Sequence, residues 1–240
     1  MNHQGVVRGT GMNRFNGRAL VTTKVLKDRL TLSAGINAMQ GKFHGVPTGN
    51  DGTSVLDAMN YYSPTNPVRN EDGTWYQSYV GSQNFNPLSM IHEDSNDTEW
   101  KRMQFTGKAS LKIIDGLIWN ANYSYNTRQN VYSYYNSSQS QLPYGGKNGK
   151  AFRNTRTGHD QTFETYFNYE KTFNMVHKLG LMAGYSWEER TNGDGFGLAV
   201  YNFYDDALGY KNLKYGNLIH GMSDVDSGTE ETVRNISFYG

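Results

Sequence analysis

Met103-Gln104-Phe105-Thr106-Gly107-Lys108-Ala109-Ser110-Leu111-Lys112-Ile113 alternates without interruption: odd positions are apolar or Gly, even positions are Gln, Thr, Lys, Ser and Lys. A period of two marks a β-strand with one wet face. Asp115-Gly116 follows, a strong hairpin signal. Leu117-Ile118-Trp119-Asn120-Ala121-Asn122-Tyr123-Ser124-Tyr125-Asn126 then resumes with apolar residues at odd positions. Parity fixes the turn. A two-residue loop would put the two apolar faces on opposite sides. A three-residue loop, Ile114-Asp115-Gly116, sets Leu111 opposite Trp119, Ala109 opposite Ala121, Gly107 opposite Tyr123 and Phe105 opposite Tyr125. Gly116 then takes the left-handed position that closes such a loop. Tyr123 covers the strand glycine Gly107.

The same reasoning extends outward. A hairpin around Lys27-Asp28 sets Val25, Thr23, Val21 and Ala19 opposite Leu30, Leu32, Ala34 and Ile36. A third joins Phe163-Thr165-Phe167-Tyr169 to Leu179-Leu181-Ala183-Tyr185-Trp187 through Asn174–Lys178, and a last strand starts near Thr229 and reaches Tyr239. About seven strands of roughly 10–16 residues result, longer than the ~5–6 usual in globular proteins. A strand of 9–11 residues at ~45° tilt crosses a bilayer core.

Composition agrees with β-structure. Only 36% of the 240 residues are hydrophobic and the mean hydropathy is −0.73, yet 14% are aromatic, which argues against disorder. The absence of Cys excludes a disulfide scaffold, thiolate metal sites and cysteine catalysis. With 23 basic against 22 acidic residues, nothing points to a nucleic-acid partner. No run of 18 apolar residues exists, which excludes a spanning helix but not a spanning strand. Met1-Asn2-His3-Gln4-Gly5 does not read as a secretory signal, so either the protein stays in the cytoplasm or its true N-terminus lies upstream.

The connections alternate in length. Turns near residues 27, 115 and 175 are tight, whereas segments 44–98, 135–157 and 192–228 are long and polar, with a short helix expected over Ser54–Tyr62. In a meander every second connection leaves the same edge, so tight turns share one edge and long loops the other. Outer-membrane barrels have this asymmetry. The expected fold is all-β: an antiparallel up-and-down meander, part of a transmembrane β-barrel with short periplasmic turns and long extracellular loops. Phe105, Ala109, Leu111, Trp119, Ala121, Tyr123, Tyr125, Leu181 and Tyr185 are expected to face lipid. Trp119 near a tight turn, with Tyr185 and Trp187 toward the other edge, fits aromatic girdles. Gln104, Thr106, Lys108, Asn120, Asn122, Glu164, Tyr166 and Asn168 are expected to line a wet lumen.

Catalytic chemistry is not found. His3, His44, His92, His159, His177 and His220 lack zinc-helix spacing. Asp224-Val225-Asp226-Ser227-Gly228 lacks the closing Glu of a calcium loop. Gly184-Tyr185-Ser186-Trp187-Glu188 misses the last Gly of a nucleophile elbow. Gly145-Gly146-Lys147-Asn148-Gly149-Lys150 has the wrong spacing for a phosphate-binding loop. No cofactor or metal is implied. The loops do carry binding chemistry: Trp75, Tyr76 and Tyr79 in the first, Tyr132, Tyr134 and Tyr135 at the next strand end, all beside Asn, Gln and Ser. They suit stacking on sugar rings or on a lid protein, as well as packing within the loop.

Several stretches, taken in order, resemble the barrel of SusC/RagA-type TonB-dependent outer-membrane transporters. They are Gly9-Thr10-Gly11-Met12-Asn13-Arg14-Phe15-Asn16-Gly17-Arg18, Leu26-Lys27-Asp28-Arg29-Leu30-Thr31-Leu32, Tyr61-Tyr62-Ser63-Pro64-Thr65-Asn66-Pro67-Val68, Asn70-Glu71-Asp72-Gly73-Thr74, Asn86-Pro87-Leu88, Ile113-Ile114-Asp115-Gly116-Leu117 and Leu181-Met182-Ala183-Gly184-Tyr185-Ser186. The resemblance implies a parent barrel of about 22 strands around a plug. It implies a SusD-type surface lipoprotein as lid, energy delivered through the TonB complex, and import of a glycan, oligopeptide or similar large nutrient. The location implied is the outer membrane of a Gram-negative, Bacteroidetes-type cell. Residues 1–240 then correspond to part of the barrel, without plug, signal peptide or TonB-contacting segment. Two other readings stay open: a passive porin-like or structural outer-membrane barrel, and a soluble β-rich carbohydrate-binding module. The last requires a second layer packed over Phe105, Ala109, Leu111 and Trp119.

Overall fold

The computed structural model describes residues 2–48, 54–78, 85–142, 148–174 and 176–240. In chain order the elements are β1 (Asn2–Gln4), β2 (Gly11–Val25), β3 (Leu30–Gly45), α1 (Val55–Tyr61), α2 (Pro87–Glu93), β4 (Asp94–Ile114), β5 (Leu117–Asn136), β6 (Lys150–Phe173), β7 (His177–Tyr201), β8 (Val225–Gly228) and β9 (Glu231–Tyr239). One antiparallel sheet takes β1 to β7 in sequence order. The outer edge of β7 then pairs with β8 along Gly195–Leu198 and with β9 along Gly184–Asn192.

The register predicted from parity is the register observed. Leu111 faces Trp119, Ala109 faces Ala121, Gly107 faces Tyr123 and Phe105 faces Tyr125. Val25, Thr23, Val21 and Ala19 face Leu30, Leu32, Ala34 and Ile36. Phe163 faces Trp187, and Tyr169 faces Leu181. The expected three-residue loop does not form: Ile114 pairs with Leu117 across Asp115-Gly116, where Gly116 adopts φ +88, and a one-residue shift of the ladder between Lys112 and Ile114 restores the predicted register. A Cβ at Gly116 would lie 2.5 Å from the Glu170 carbonyl oxygen. The first hairpin has a different turn: Leu26, Lys27 and Asp28 all adopt positive φ, although none is Gly. Left-handed backbone costs an L-residue about 1–2 kcal/mol. The Arg29 N–H donates to the Leu26 carbonyl at 3.2 Å and closes this turn. The third turn is shorter than Asn174–Lys178, because Phe173 already pairs with His177.

All three tight turns lie side by side on one edge. Lys112 N donates to Arg29 O at 2.8 Å and Glu170 N to Gly116 O at 2.8 Å. The opposite edge carries residues 46–93, 137–149 and 202–224. These connections are shorter than the sequence suggests, because β4 begins at Asp94, β5 continues to Asn136, and β6 and β7 run 24 and 25 residues. In β6 the stretch Arg153-Asn154-Thr155-Arg156 is polar on both faces, so alternation fades while backbone pairing continues. The helix expected at Ser54–Tyr62 forms as α1, with Ser54 as N-cap accepting from Leu56 N at 3.2 Å. The second helix, α2, is an addition. Asn86 caps it by accepting from Leu88 N at 3.0 Å, and Pro87 opens it, a start signal legible in Asn86-Pro87.

Burial is one-sided along the strands. Every buried apolar side chain among the described residues lies in the long connections or in the strand ends that join them. Val46, Val55, Ala58, Phe85, Met90 and Leu142 form one cluster, and Tyr135, Ala151, Val200 and Phe203 another. No described residue of Met103–Ile113 or Leu117–Tyr125 is buried, so no opposing layer covers Phe105, Ala109, Leu111 and Trp119.

Candidate functional site

Pairing carries parity from strand to strand and gives the sheet two chemically distinct faces. On one face Leu30, Leu111, Trp119, Phe167 and Ala183 form a row, followed by Leu32, Ala109, Ala121, Thr165 and Tyr185, then by Ala34, Gly107, Tyr123, Phe163 and Trp187. Leu181 lies opposite Tyr169 and Leu117 in the row nearer the turns. The polar atoms on this face are satisfied locally: Trp119 Nε1 donates to Thr165 Oγ1 at 2.8 Å, and that hydroxyl donates to Asn120 O at 3.0 Å. The apolar character ends at the row of Phe105, Tyr125, Gln161 and Glu189, where Arg234 of β9 pairs with Glu189 at 2.6 Å. From Phe105 to Ile113, at about 3.3 Å per residue and ~45° tilt, the apolar band is about 19 Å tall.

The other face is a hydrogen-bonded polar surface. Glu164 accepts from Asn122 Nδ2 at 3.2 Å and from the Tyr239 hydroxyl at 3.0 Å, tying β5, β6 and β9 together. Nearer the long connections, this face gathers arginines. Arg102 of β4 lies directly opposite Arg128 of β5. Arg128 pairs with Asp160 at 2.6 Å, and Arg190 reaches the same carboxylate at 3.5 Å. The ladder shifts between Thr157 and His159, next to this cluster, and Gly158 leaves the space that the Arg128 guanidinium occupies. Trp100, on the same face, lies flat over Gly41, where a Cβ would collide with the indole. The guanidinium carbons of Arg14 and Arg102 sit 5.9 and 5.8 Å from the Trp100 ring centroid.

The predicted loop aromatics separate. Trp75 is buried: its Nε1 donates to Glu93 at 2.8 Å, His92 stacks on it at 5.6 Å, and Arg69 covers it at 3.7 Å. Tyr76 is half-buried, and its carbonyl accepts from Gln141 at 3.1 Å. Tyr79 and the pair Gly145-Gly146 lie outside the described residues. Tyr132 and Tyr134 stand on the polar face with Phe152, at centroid distances of 6.2 and 5.3 Å from it. Tyr135 belongs to the opposite parity and is buried edge-on against Phe203 at 5.4 Å, its hydroxyl bonded to Asp206. Burial and that carboxylate raise its pKa. So two of the six, Tyr132 and Tyr134, share the surface that carries Trp100 and the arginines. The sequence reading missed Trp100, Arg102 and Arg128, although extending the even parity of Gln104 and Asn126 upward would have placed them there.

The loops close over this end of the sheet as a folded cap. Asn86 N donates to Gln141 Oε1 at 3.0 Å, joining the first long connection to the second. Ser138 N and Oγ donate to Asp206 at 3.0 and 2.6 Å, joining the second to the third. Asp94, at the root of β4, accepts from Asn136 Nδ2 at 2.7 Å, while its Oδ2 is buried without a partner. Burial pushes the Asp94 carboxyl up to about 7, against the lowering effect of hydrogen bonds from Ser140 and Asn136. No cluster of three or more metal-ligating side chains occurs among the described residues. Among the described residues no helix is long and apolar enough to cross a membrane, which says nothing of crossing by strands.

No family model matches the sequence. The chain is similar to TonB-dependent receptor P3 of Formosa agariphila, 25% identical over 233 residues, covering 94% of this chain and 23% of that receptor. It is likewise similar to TonB-dependent receptor P39 of the same organism, 26% identical over 243 residues, covering 99% of this chain and 22% of the relative. The chain thus spans less than a quarter of the length of the curated relatives it matches. In fold it matches the RagAB peptide transporter with a TM-score of 0.68 at 15% identity, over 95% of this chain and 25% of that one. The RagAB peptide importer in its open-open state gives 0.69 at 15% identity with the same coverage. The SusC/RagA-type resemblance is therefore borne out as a resemblance: in sequence the chain is similar to part of TonB-dependent receptors, and in fold to part of the RagAB transporter.

Proposed function

We propose that this chain is a barrel segment of a SusC/RagA-type, TonB-dependent importer in the outer membrane of a Gram-negative, Bacteroidetes-type cell. The observation that carries this reading is the uncovered apolar face. Val21, Phe167 and Leu181 are 68%, 45% and 60% exposed on a face that no other layer approaches. Water would not tolerate an apolar band this wide and continuous, whereas hydrocarbon does. Its height of about 19 Å spans most of the ~25 Å apolar band of outer-membrane barrels. Phe105, Ala109, Leu111, Trp119, Ala121, Tyr123, Tyr125, Leu181 and Tyr185 contact lipid in this reading. The polar face lines the lumen, the three tight turns face the periplasm, and the cap faces the medium.

The work done is gated passage of a large solute, a glycan or oligopeptide, rather than bond chemistry. A SusD-type lipoprotein seated on the cap and TonB acting from the periplasm are the partners. Residues 1–240 supply part of the barrel wall. The chain contains no Cys, so single cysteines report cleanly from this wall. In the full-length protein in intact outer membranes, a polar maleimide is expected to label Asn122→Cys and leave Ala121→Cys unlabelled. Equal labelling at the two adjacent positions would overturn the assignment of faces.

A further inference from the structure

Like charges directly opposite each other destabilise a sheet, yet Arg102 and Arg128 form such a pair on the lumen-side face. Three successive rows of this face carry Arg14, Arg18, Arg102 and Arg128 on β2–β5, and not one carboxylate. The nearest acid, Asp160 of β6, is already held by Arg128 at 2.6 Å and Arg190 at 3.5 Å. Arg18 and Arg102 are exposed and ion-paired with no acid among the described residues. The band sits level with the upper limit of the apolar face, at the mouth of the lumen. Between two of its arginines the indole of Trp100 lies flat against the wall over Gly41.

We infer that this band is a selectivity site for an oligosaccharide bearing anionic oxygens, either carboxylates or sulfates. Resting on the importer reading, it assigns that importer's solute class. Guanidinium groups bind planar or tetrahedral oxyanions through paired N–H donors, and such charge-assisted bonds are roughly twice as strong as neutral ones. A flat indole offers its electron-rich face to the C–H face of a sugar ring. It is a platform for a ring rather than a slot for a peptide side chain. Tyr132 and Tyr134, farther up the same face, extend the platform outward. An anion bound here also relieves the repulsion between Arg102 and Arg128, so the otherwise unfavourable pair acquires a purpose.

The test uses the full-length transporter in detergent and four fluorescent probes: pectin oligosaccharides, carrageenan oligosaccharides, starch oligosaccharides and oligoglutamate. At least one of the two acidic sugars is expected to bind more tightly than starch oligosaccharides or oligoglutamate, and to weaken with added salt. Which of the two binds identifies carboxylate or sulfate. Arg102→Gln is expected to weaken that binding about tenfold, the loss of one charge-assisted hydrogen bond, and Arg102→Lys to restore part of it. Binding no tighter than that of starch, tighter binding of oligoglutamate, or indifference to Arg102→Gln would each overturn the proposal. Cell-surface protein levels and cysteine labelling at Asn122→Cys verify that the variant barrel is assembled. A transporter that keeps the labelling pattern but ignores charge sinks this inference alone. Loss of the labelling pattern in the unmutated wall sinks the importer reading itself.

Discussion

Met90 is completely buried, whereas Phe105, on the strand that follows, stands 42% exposed. The two residues belong to regions built for different solvents. The cap around α1 and α2 has an ordinary globular core, with apolar side chains packed inward and polar groups bridging the loops. The lower sheet has no core at all. Its apolar residues lie on a face that no described layer covers, and its other face is a mesh of Asn, Thr, Glu and Arg. A region that turns its oily side outward gains nothing from burial in itself and needs an apolar medium to be stable.

The contrast can be broken or sharpened by substitution. Met90→Ala in the full-length protein is expected to destabilise the cap by about 2–5 kcal/mol, the cost of a large cavity in a packed core. Protease cleavage between α1 and α2 should rise, while the heat resistance of the barrel is unchanged. Ala121→Arg, near the middle of the apolar band, is expected to cost ~2–4 kcal/mol in refolding titrations in lipid, and Asn122→Arg on the polar face much less. Similar costs at the two positions would erase the distinction between faces.

Asp94 offers a pH-dependent probe of the cap. Its folded pKa of about 7 lies above the unfolded value of 3.8. The folded state therefore holds its proton more tightly, and the resulting stability is fully present below 3.8 and lost as pH rises through about 7. Protection factors of α2 amides, which correct for the intrinsic exchange rate at each pH, are expected to be higher at pH 5 than at pH 8, and Asp94→Asn to flatten that dependence. The smallest effect is expected at the edge of the tight turns: Lys27→Gly relieves a left-handed L-residue and stabilises the first hairpin by at most about 1–2 kcal/mol, visible as a small rise in the refolding midpoint. A loss there would mean that the Lys27 side chain does more than occupy the turn.

Much of the lower sheet was legible because each β-strand writes its faces into odd and even positions. Parity requires Leu111 and Trp119 to share a side, and the chain meets that requirement with a shift of the ladder beside Asp115-Gly116 rather than with a longer loop. The upper strands were not legible by the same rule, since Arg153, Asn154, Thr155 and Arg156 are polar or charged on both faces and only their backbone pairing makes them strand. The loop aromatics show the same divide. Their side chains fit stacking in sequence, but whether one is presented or consumed depends on neighbours far along the chain: Glu93 for Trp75, Phe203 for Tyr135.

The sequence by itself determined the strands, their register below the cap and the chemistry of each face, because alternation is a local property and pairing only propagates it. Tertiary structure alone decided which aromatics are consumed in the cap, and that Arg102 meets Arg128 beside Trp100. Those facts arise between strands, where separations of tens of residues collapse to the ~5 Å between paired chains.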